Sequence, residues 1–510
     1  MVKKTSKRTN KRILRVVLML TYILIIAILL FLVSSIYTFL NTGADRSKML
    51  HTEVKKVEQY LPKVTWINDG NEGRKISDQK IKAVQNDYLD AWYVKHIAYK
   101  TNTRVGIEDY YTESARKNIY NILNYNKLNN TSIESTTLKH NLDIEFFSED
   151  GQLIVLTDTN VLEYKKVFKD QKLLIETTEV SSYRFVLLLE DGFWRIRHMV
   201  KETTENFKPK NIVTALKSTN IKGINYYPQA TPWNMYGDGF DINIIKNDFR
   251  IIKKAGLNSI RIFVPYEDFG KANVKFDKLE KLKSVLDTAL KQNIKVVITL
   301  FDFYGNYDVL DWTLNQRHAE KIVETFKDHE AILAWDIKNE PNLDFDSRGK
   351  ENVIAWLDFM LVLIKDIDNK HPVTIGWSNT KSATILQDKV DVVSFHYYDK
   401  LSDFDKEYHK LKSKIKNNKP IILQEFGLSS YGGLWRPFVS SEEKQENYYK
   451  EIQKVLTKNS IPFMSWTLYD FDVVPKEVLG ILPWRTNPQK KFGFITNTGK
   501  KKLSYKYISK

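Results

Sequence analysis

The chain of 510 residues has no cysteine, which excludes a disulfide framework, a thiolate zinc site, an iron–sulfur cluster and a cysteine nucleophile. The absence is compatible with an oxidising compartment. Glycine and proline are scarce at 20 and 13 residues, so collagen-like and low-complexity classes are out. Hydrophobic residues make up 42% and charged residues 27%, the balance of a globular protein. At roughly 100–200 residues per domain, the length calls for about two to four domains.

Acidic residues are missing from the first fifteen positions, which hold seven basic ones: Lys3, Lys4, Lys7, Arg8, Lys11, Arg12 and Arg15. They account for seven of the sixteen net positive charges, leaving a mild +9 on the remainder. No helix-turn-helix, RNP or zinc-finger pattern accompanies the charge, so no nucleic-acid partner is expected. Residues 16–40 then carry no charge and are mostly Leu, Ile and Val. As a helix this run would be about 37 Å long, enough to cross a hydrocarbon core of about 30 Å. A cleaved signal peptide is the rival, but its apolar region is usually about 7–15 residues, and Thr42-Gly43-Ala44 is a poor cleavage site. The expectation is a basic cytoplasmic tail (1–15) and a transmembrane anchor (16–40), with the remainder outside the cytoplasm of a single-pass protein.

Residues 45–205 read as a small α+β domain. Lys80–Tyr93 and Thr112–Leu123 have helical spacing, followed by strand-like runs at Leu138–Phe147, Leu153–Thr157, Leu173–Val180, Ser182–Leu189 and Phe193–Val200. Two acidic turns, Ser148-Glu149-Asp150-Gly151 and Glu190-Asp191-Gly192, separate them. The element order resembles the NTF2-like cone. His96, His140 and His198 are spread along the segment and are expected to be structural or exposed, and no converging acid, base or metal set is expected there. The expected role is a spacer, or a surface for a protein partner or a second copy.

Beyond a lysine-rich link, short apolar runs alternate with amphipathic helical patterns across 215–500. Eight strands are expected: Ile221–Tyr227, Ser259–Val264, Ile294–Phe301, Ile332–Ile337, Val373–Trp377, Val390–Tyr398, Pro420–Phe426 and Pro462–Tyr469. Eight such units point to a closed (β/α)8 TIM barrel. An open doubly wound sheet would want a Gly-rich phosphate loop after the first strand, where the chain reads Tyr226-Tyr227-Pro228-Gln229. Barrel enzymes work at the carboxyl ends of their strands. Those ends carry Asn339-Glu340-Pro341 on the fourth strand, His396-Tyr397-Tyr398 on the sixth, Gln424-Glu425-Phe426-Gly427 on the seventh, and Ser465-Trp466 on the eighth, with Arg261 on the second. Burying such a set would be a costly way to build a core; as a substrate site it makes sense.

In this order and on these strands, the motifs resemble the retaining glycoside hydrolases of the (β/α)8 superfamily, and most of all glycoside hydrolase family five, the cellulase and mannanase family. The resemblance covers about 215–500. It implies Glu340 as acid/base and Glu425 as nucleophile of a double displacement. It places Arg261 and Tyr398 beside Glu425, where a cation and a hydrogen-bond donor would both favour the carboxylate. It gives Asn339 the sugar 2-hydroxyl, His396 the orientation of the acid/base or the sugar, and Trp466 an aromatic floor. Trp233, Trp435 and Trp484 are candidates for further subsites. One departure stands out: many relatives have a histidine after the third strand, where this chain reads Phe301-Asp302-Phe303-Tyr304, so Asp302 or Tyr304 would meet the sugar instead. Neither metal nor cofactor is implied. The expected activity is hydrolysis of a β-linked polysaccharide or oligosaccharide. Transglycosylation by the same residues and silent glycan binding are the alternatives.

Overall fold

Where no water reaches, a lone segment can satisfy its backbone groups only as a helix, and residues Lys4–Asn41 form one, α1. Its stretch Arg15–Val33 is long and apolar enough to cross a membrane, at 19 residues or about 28 Å. The computed structural model describes residues 4–41, 60–67, 71–210, 212–216, 220–433, 440–479 and 482–510. Met1–Val57 and Glu58–Lys510 are separate units.

The second unit opens with β1 (Lys63–Ile67), helix α2 (Asp78–Thr101) and helix α3 (Glu113–Leu128). A meander follows: β2 (Thr131–Phe147), β3 (Leu153–Lys169), β4 (Lys172–Glu190) and β5 (Phe193–Asn206). The sheet order is β1-β2-β3-β4-β5, antiparallel except for β1, which lies parallel to β2. The acidic turns fall where expected. Gly151 and the pair Asp191-Gly192 have φ of +72°, +52° and +85°, conformations that turns demand and glycine takes without strain.

The strands outrun their apolar patterns. β3 continues past Asn160 (φ +55°), where a bulge shifts the register and hides the alternation. β4 runs straight through Ser181-Ser182, so the two runs expected there are one strand. The histidines are structural or exposed, as expected, but two of them meet. His96 and His140 converge in the core between helices and sheet, where His140 lies 2.5 Å from Asp158 and 2.8 Å from the Thr137 hydroxyl. Tyr88 donates to the same carboxylate at 2.5 Å, and His96 pairs with Ser135 at 2.7 Å. Every member of the set is buried, so it is a sealed polar core. His198 is exposed.

From residue 222 on, eight parallel strands close a barrel: β6 (Lys222–Asn225), β7 (Ser259–Pro265), β8 (Lys295–Asp302), β9 (Ile332–Asn339), β10 (Val373–Trp377), β11 (Val393–Tyr397), β12 (Ile421–Phe426) and β13 (Phe463–Trp466). β13 pairs with β6, Phe463 opposite Lys222, which leaves no edge. Amphipathic helices at 242–254, 276–291, 312–326, 350–367, 401–414 and 442–459 cover the outside. Between β10 and β11 there is only the short 3-10 turn Ser382–Thr384. Inside, Val297, Leu333, Val392, Ile422 and Met464 seal the amino ends of the strands. At the carboxyl ends the interior turns polar, and this contrast positions the site.

Candidate active site

Arg261 organises the polar end of the barrel. It is fully buried on β7, so its charge has to be met in place. Nη2 donates to Asp336 at 2.7 Å and to Asn339 at 2.8 Å; Nη1 donates to Asn225 and to Glu425, both at 3.1 Å. Nε reaches Asp336 and Thr299 at 3.0 Å. Burial works against the cation, but Asp336 and Glu425 outweigh it and raise the guanidinium above its ordinary value. Across the barrel interior, β10 carries Gly376 for a reason of space. A Cβ there would lie 2.8 Å from Arg261 Nη2, 2.9 Å from the Gln424 side chain and 3.3 Å from the His396 ring.

The two glutamates meet beside this fork. Glu425, near the end of β12, accepts from Arg261 on one oxygen and from the Tyr398 hydroxyl on the other, at 2.8 Å. Glu340 follows β9 in a left-handed conformation (φ 48°, ψ 47°), rare for a side chain with a Cβ and costing roughly 1–2 kcal/mol. Its amide holds the Gly376 carbonyl at 2.7 Å and its carboxylate lies 2.8 Å from His396 Nδ1. One oxygen of each glutamate and a ring nitrogen of His396 all lie within 4.8 Å of one another. That spacing could also suit a metal ion, but Arg261 already supplies positive charge 3.1 Å from Glu425. Burial pushes the Glu340 carboxyl up, yet the hydrogen bond and charge of His396, with Arg261 and Lys338, hold it below the ordinary carboxylate value.

A cleft of about 570 Å3 opens over the pair. Asp302, Tyr304, Asn339, Tyr398 and Trp466 all line it, as does Trp233. The Trp466 ring packs against Trp233 at 5.8 Å, and its indole nitrogen has no protein partner. Tyr304 offers only its ring, because its hydroxyl turns away to Asn315 at 2.7 Å. Trp435 and the Trp484 side chain lie outside the described residues. Sequence reasoning assigned no role to Asn225, Asp336 and Thr299, although polar residues inside apolar strand runs were the available signal. It also missed Tyr227, Lys338 and Asp344. Lys338 lies 3.4 Å from Asp344, and Tyr227 donates to Asp302 at 3.2 Å. Nothing local in the sequence marks these contacts.

Asp302 yields a pH prediction. Burial, offset in part by Lys338, Arg261 and the Tyr227 hydroxyl, raises its carboxyl from 3.8 to about 6. The folded state therefore binds this proton more tightly than the unfolded chain does. The resulting stability is fully present below pH about 4 and is lost as pH rises through about 6. Its size is on the order of 2–3 kcal/mol. Urea unfolding at several pH values should show the parent losing this stability across the window relative to Asp302→Asn. Parallel curves would refute the assignment.

A closed parallel barrel that gathers paired carboxyl groups and aromatic rings at the carboxyl ends of its strands is the architecture of a glycoside hydrolase. The family model for cellulase (glycosyl hydrolase family 5) matches residues 215–472, half of the chain, and the protein belongs to that family. It is 24% identical over 276 residues to the β-glucuronidase of Chlorocebus aethiops, covering 51% of this chain and 40% of that one. It is 27% identical over 308 residues to mannan endo-1,4-β-mannosidase 5 of Solanum lycopersicum, covering 49% and 69%. The chain thus spans about two fifths of the length of the glucuronidase. Among solved structures, an exo-β-1,4-mannosidase from Opitutaceae bacterium strain TAV5 is similar at 17% identity and a TM-score of 0.46, over 56% of this chain and 58% of that one.

Proposed function

We propose that the protein is a membrane-tethered retaining β-glycosidase, with Glu340 as acid/base and Glu425 as nucleophile, acting outside the cytoplasm on a glycan of neutral sugars. The observation that carries this reading is the proximity of the two carboxylates. An oxygen of each within 4.8 Å of the other suits direct attack on the anomeric carbon, whereas an inverting pair about 6.5–9.5 Å apart leaves room for water. Tyr398 and Arg261 aim Glu425 at that carbon. Asn339, its oxygen held by Arg261, turns its amide nitrogen to the 2-hydroxyl. The low proton affinity of Glu340 beside His396, Arg261 and Lys338 is the opposite of what an acid needs. A sugar seated over the pair would expel water and strengthen burial, the one influence that raises this carboxyl. The 2.8 Å contact with His396 fixes the orientation of that carboxyl.

The charge of the cleft supports a neutral substrate. Among the described residues, four carboxyl groups (Asp302, Glu340, Asp344 and Glu425) and a single cation, Lys338, line it. Lys338 already faces Asp344, so an entering uronate would meet repulsion without a counterion. Of the activities named for the similar proteins, the mannan-directed one suits this cleft better than the glucuronide-directed one. The apolar helix behind a basic tail supports tethering with the catalytic unit outside, and the α+β layer, with its NTF2-like element order, is assigned a spacer or docking role. The test is a panel of β-mannan, β-glucan and β-uronide substrates, reading reducing ends and the anomer first released by NMR. Release of the β-anomer from a neutral glycan, with at least tenfold preference over the uronide, is expected. Release of the α-anomer, or a preference for the uronide, overturns the reading.

A further inference from the structure

We propose that the α+β layer holds one wall of the substrate cleft in place, with Lys100 as the positioning residue. This rests on the reading of the cleft as the glycan site. The wall is the loop after β8. Its residues Phe303, Tyr304 and Gly305 face the cleft, and Phe303 sits at φ +58° with its side chain about half exposed. A loop in that conformation persists only if its surroundings hold it. On the cleft side, the Tyr307 hydroxyl bonds Asp344, which pairs with Lys338, two residues before Glu340. On the outer side the holding groups come from the other layer. Lys100, in the last turn of α2, places its ammonium 2.5 Å from Asp308 and 3.9 Å from Glu134 of β2. The other Asp308 oxygen accepts from the Leu310 amide at 3.0 Å, so one carboxylate both caps the turn that ends the loop and receives the lysine. Immediately afterwards Trp312 stacks on Tyr164 of β3, ring centroids 4.3 Å apart. The loop is therefore pinned at Asp308 by the α+β layer, and the residue just before it, Tyr307, links through Asp344 to the strand that leads to Glu340.

The contact acts on the extended substrate more than on the bond-breaking step. Lys100 and Asp308 are partly exposed, so the expected effect is modest. In the full-length protein, Lys100→Met should raise KM for the polymeric substrate about threefold, the fold-change of a partly exposed pair. It should leave kcat on a small activated aryl glycoside within about twofold. Lys100→Arg should restore KM. Amide hydrogen exchange across 303–311 should quicken in the methionine variant alone. An unchanged KM with unchanged exchange overturns the proposal, as does an equal fall on both substrates with a lowered melting temperature, which would mark a merely structural lysine. If the parent hydrolyses no glycan, the functional reading fails, while the exchange measurement still decides whether Lys100 holds the loop.

Discussion

Replacing Glu425 by Gln should abolish turnover, with kcat falling on the order of 10^4–10^6-fold, while the protein stays folded and still binds glycan. The amide is nearly isosteric: its oxygen can accept from Arg261 Nη1 and its nitrogen can donate to the Tyr398 hydroxyl oxygen, so the cradle survives. What disappears is the charge that, in the proposed mechanism, attacks the anomeric carbon. Glu340→Gln should behave differently. With a natural leaving group, loss of the proton donor should cost about 10^2–10^4-fold. With a dinitrophenolate leaving group, which needs no protonation, the first step should survive and the glycosyl-enzyme should accumulate as a burst. Azide attacks without a general base, so it should rescue the Glu340 variant and yield a glycosyl azide of retained configuration. If the two variants lost the same factor on every leaving group, the roles would be wrong even if both residues mattered. A variant of either residue that hydrolysed the natural substrate at the parent rate would remove the mechanism altogether.

The barrel was legible because its strands are buried on both faces and so read as unbroken apolar runs, such as Ile294–Phe301 and Ile332–Ile337, each matched to within a residue or two. The strand-end residues stood out because a charge in such a run has no cheap structural explanation. Arg261, Glu340, His396, Tyr398 and Glu425 do come together as the motifs implied. Contacts that only closure creates were not legible. Gly376 is an ordinary strand glycine until Arg261, Gln424 and His396 crowd it from three sides. The reach of Lys100 to Asp308 spans 208 residues, with no pattern at either end. In the α+β layer the alternation of β3 is broken by a bulge and diluted by lysines, and the convergence of His96, His140 and Asp158 depends on the packing of helices against the sheet.

Arg261→Met should cost both stability and activity, and Arg261→Lys should separate them. Removing the guanidinium leaves Asp336, wholly buried, and Glu425, largely buried, without their counterion. Breaking such a pair from one side costs about 3–5 kcal/mol, a large share of the stability of a typical domain. Lysine returns the charge and should recover most of the loss, as urea unfolding would show. It cannot return the fork: one ammonium cannot meet Asp336, Glu425, Asn339, Asn225 and Thr299 together, as the planar guanidinium does. Glu425 and Asn339 would then lose their fixed orientation, and a displacement of about 1 Å in such a group can cost about 100-fold in kcat. The lysine variant should therefore be nearly as stable as the parent yet slower by a factor of that order, with KM little changed. Full activity in the lysine variant would mean that Arg261 acts only as a buried charge, and that the geometry around Glu425 is set by Tyr398 instead.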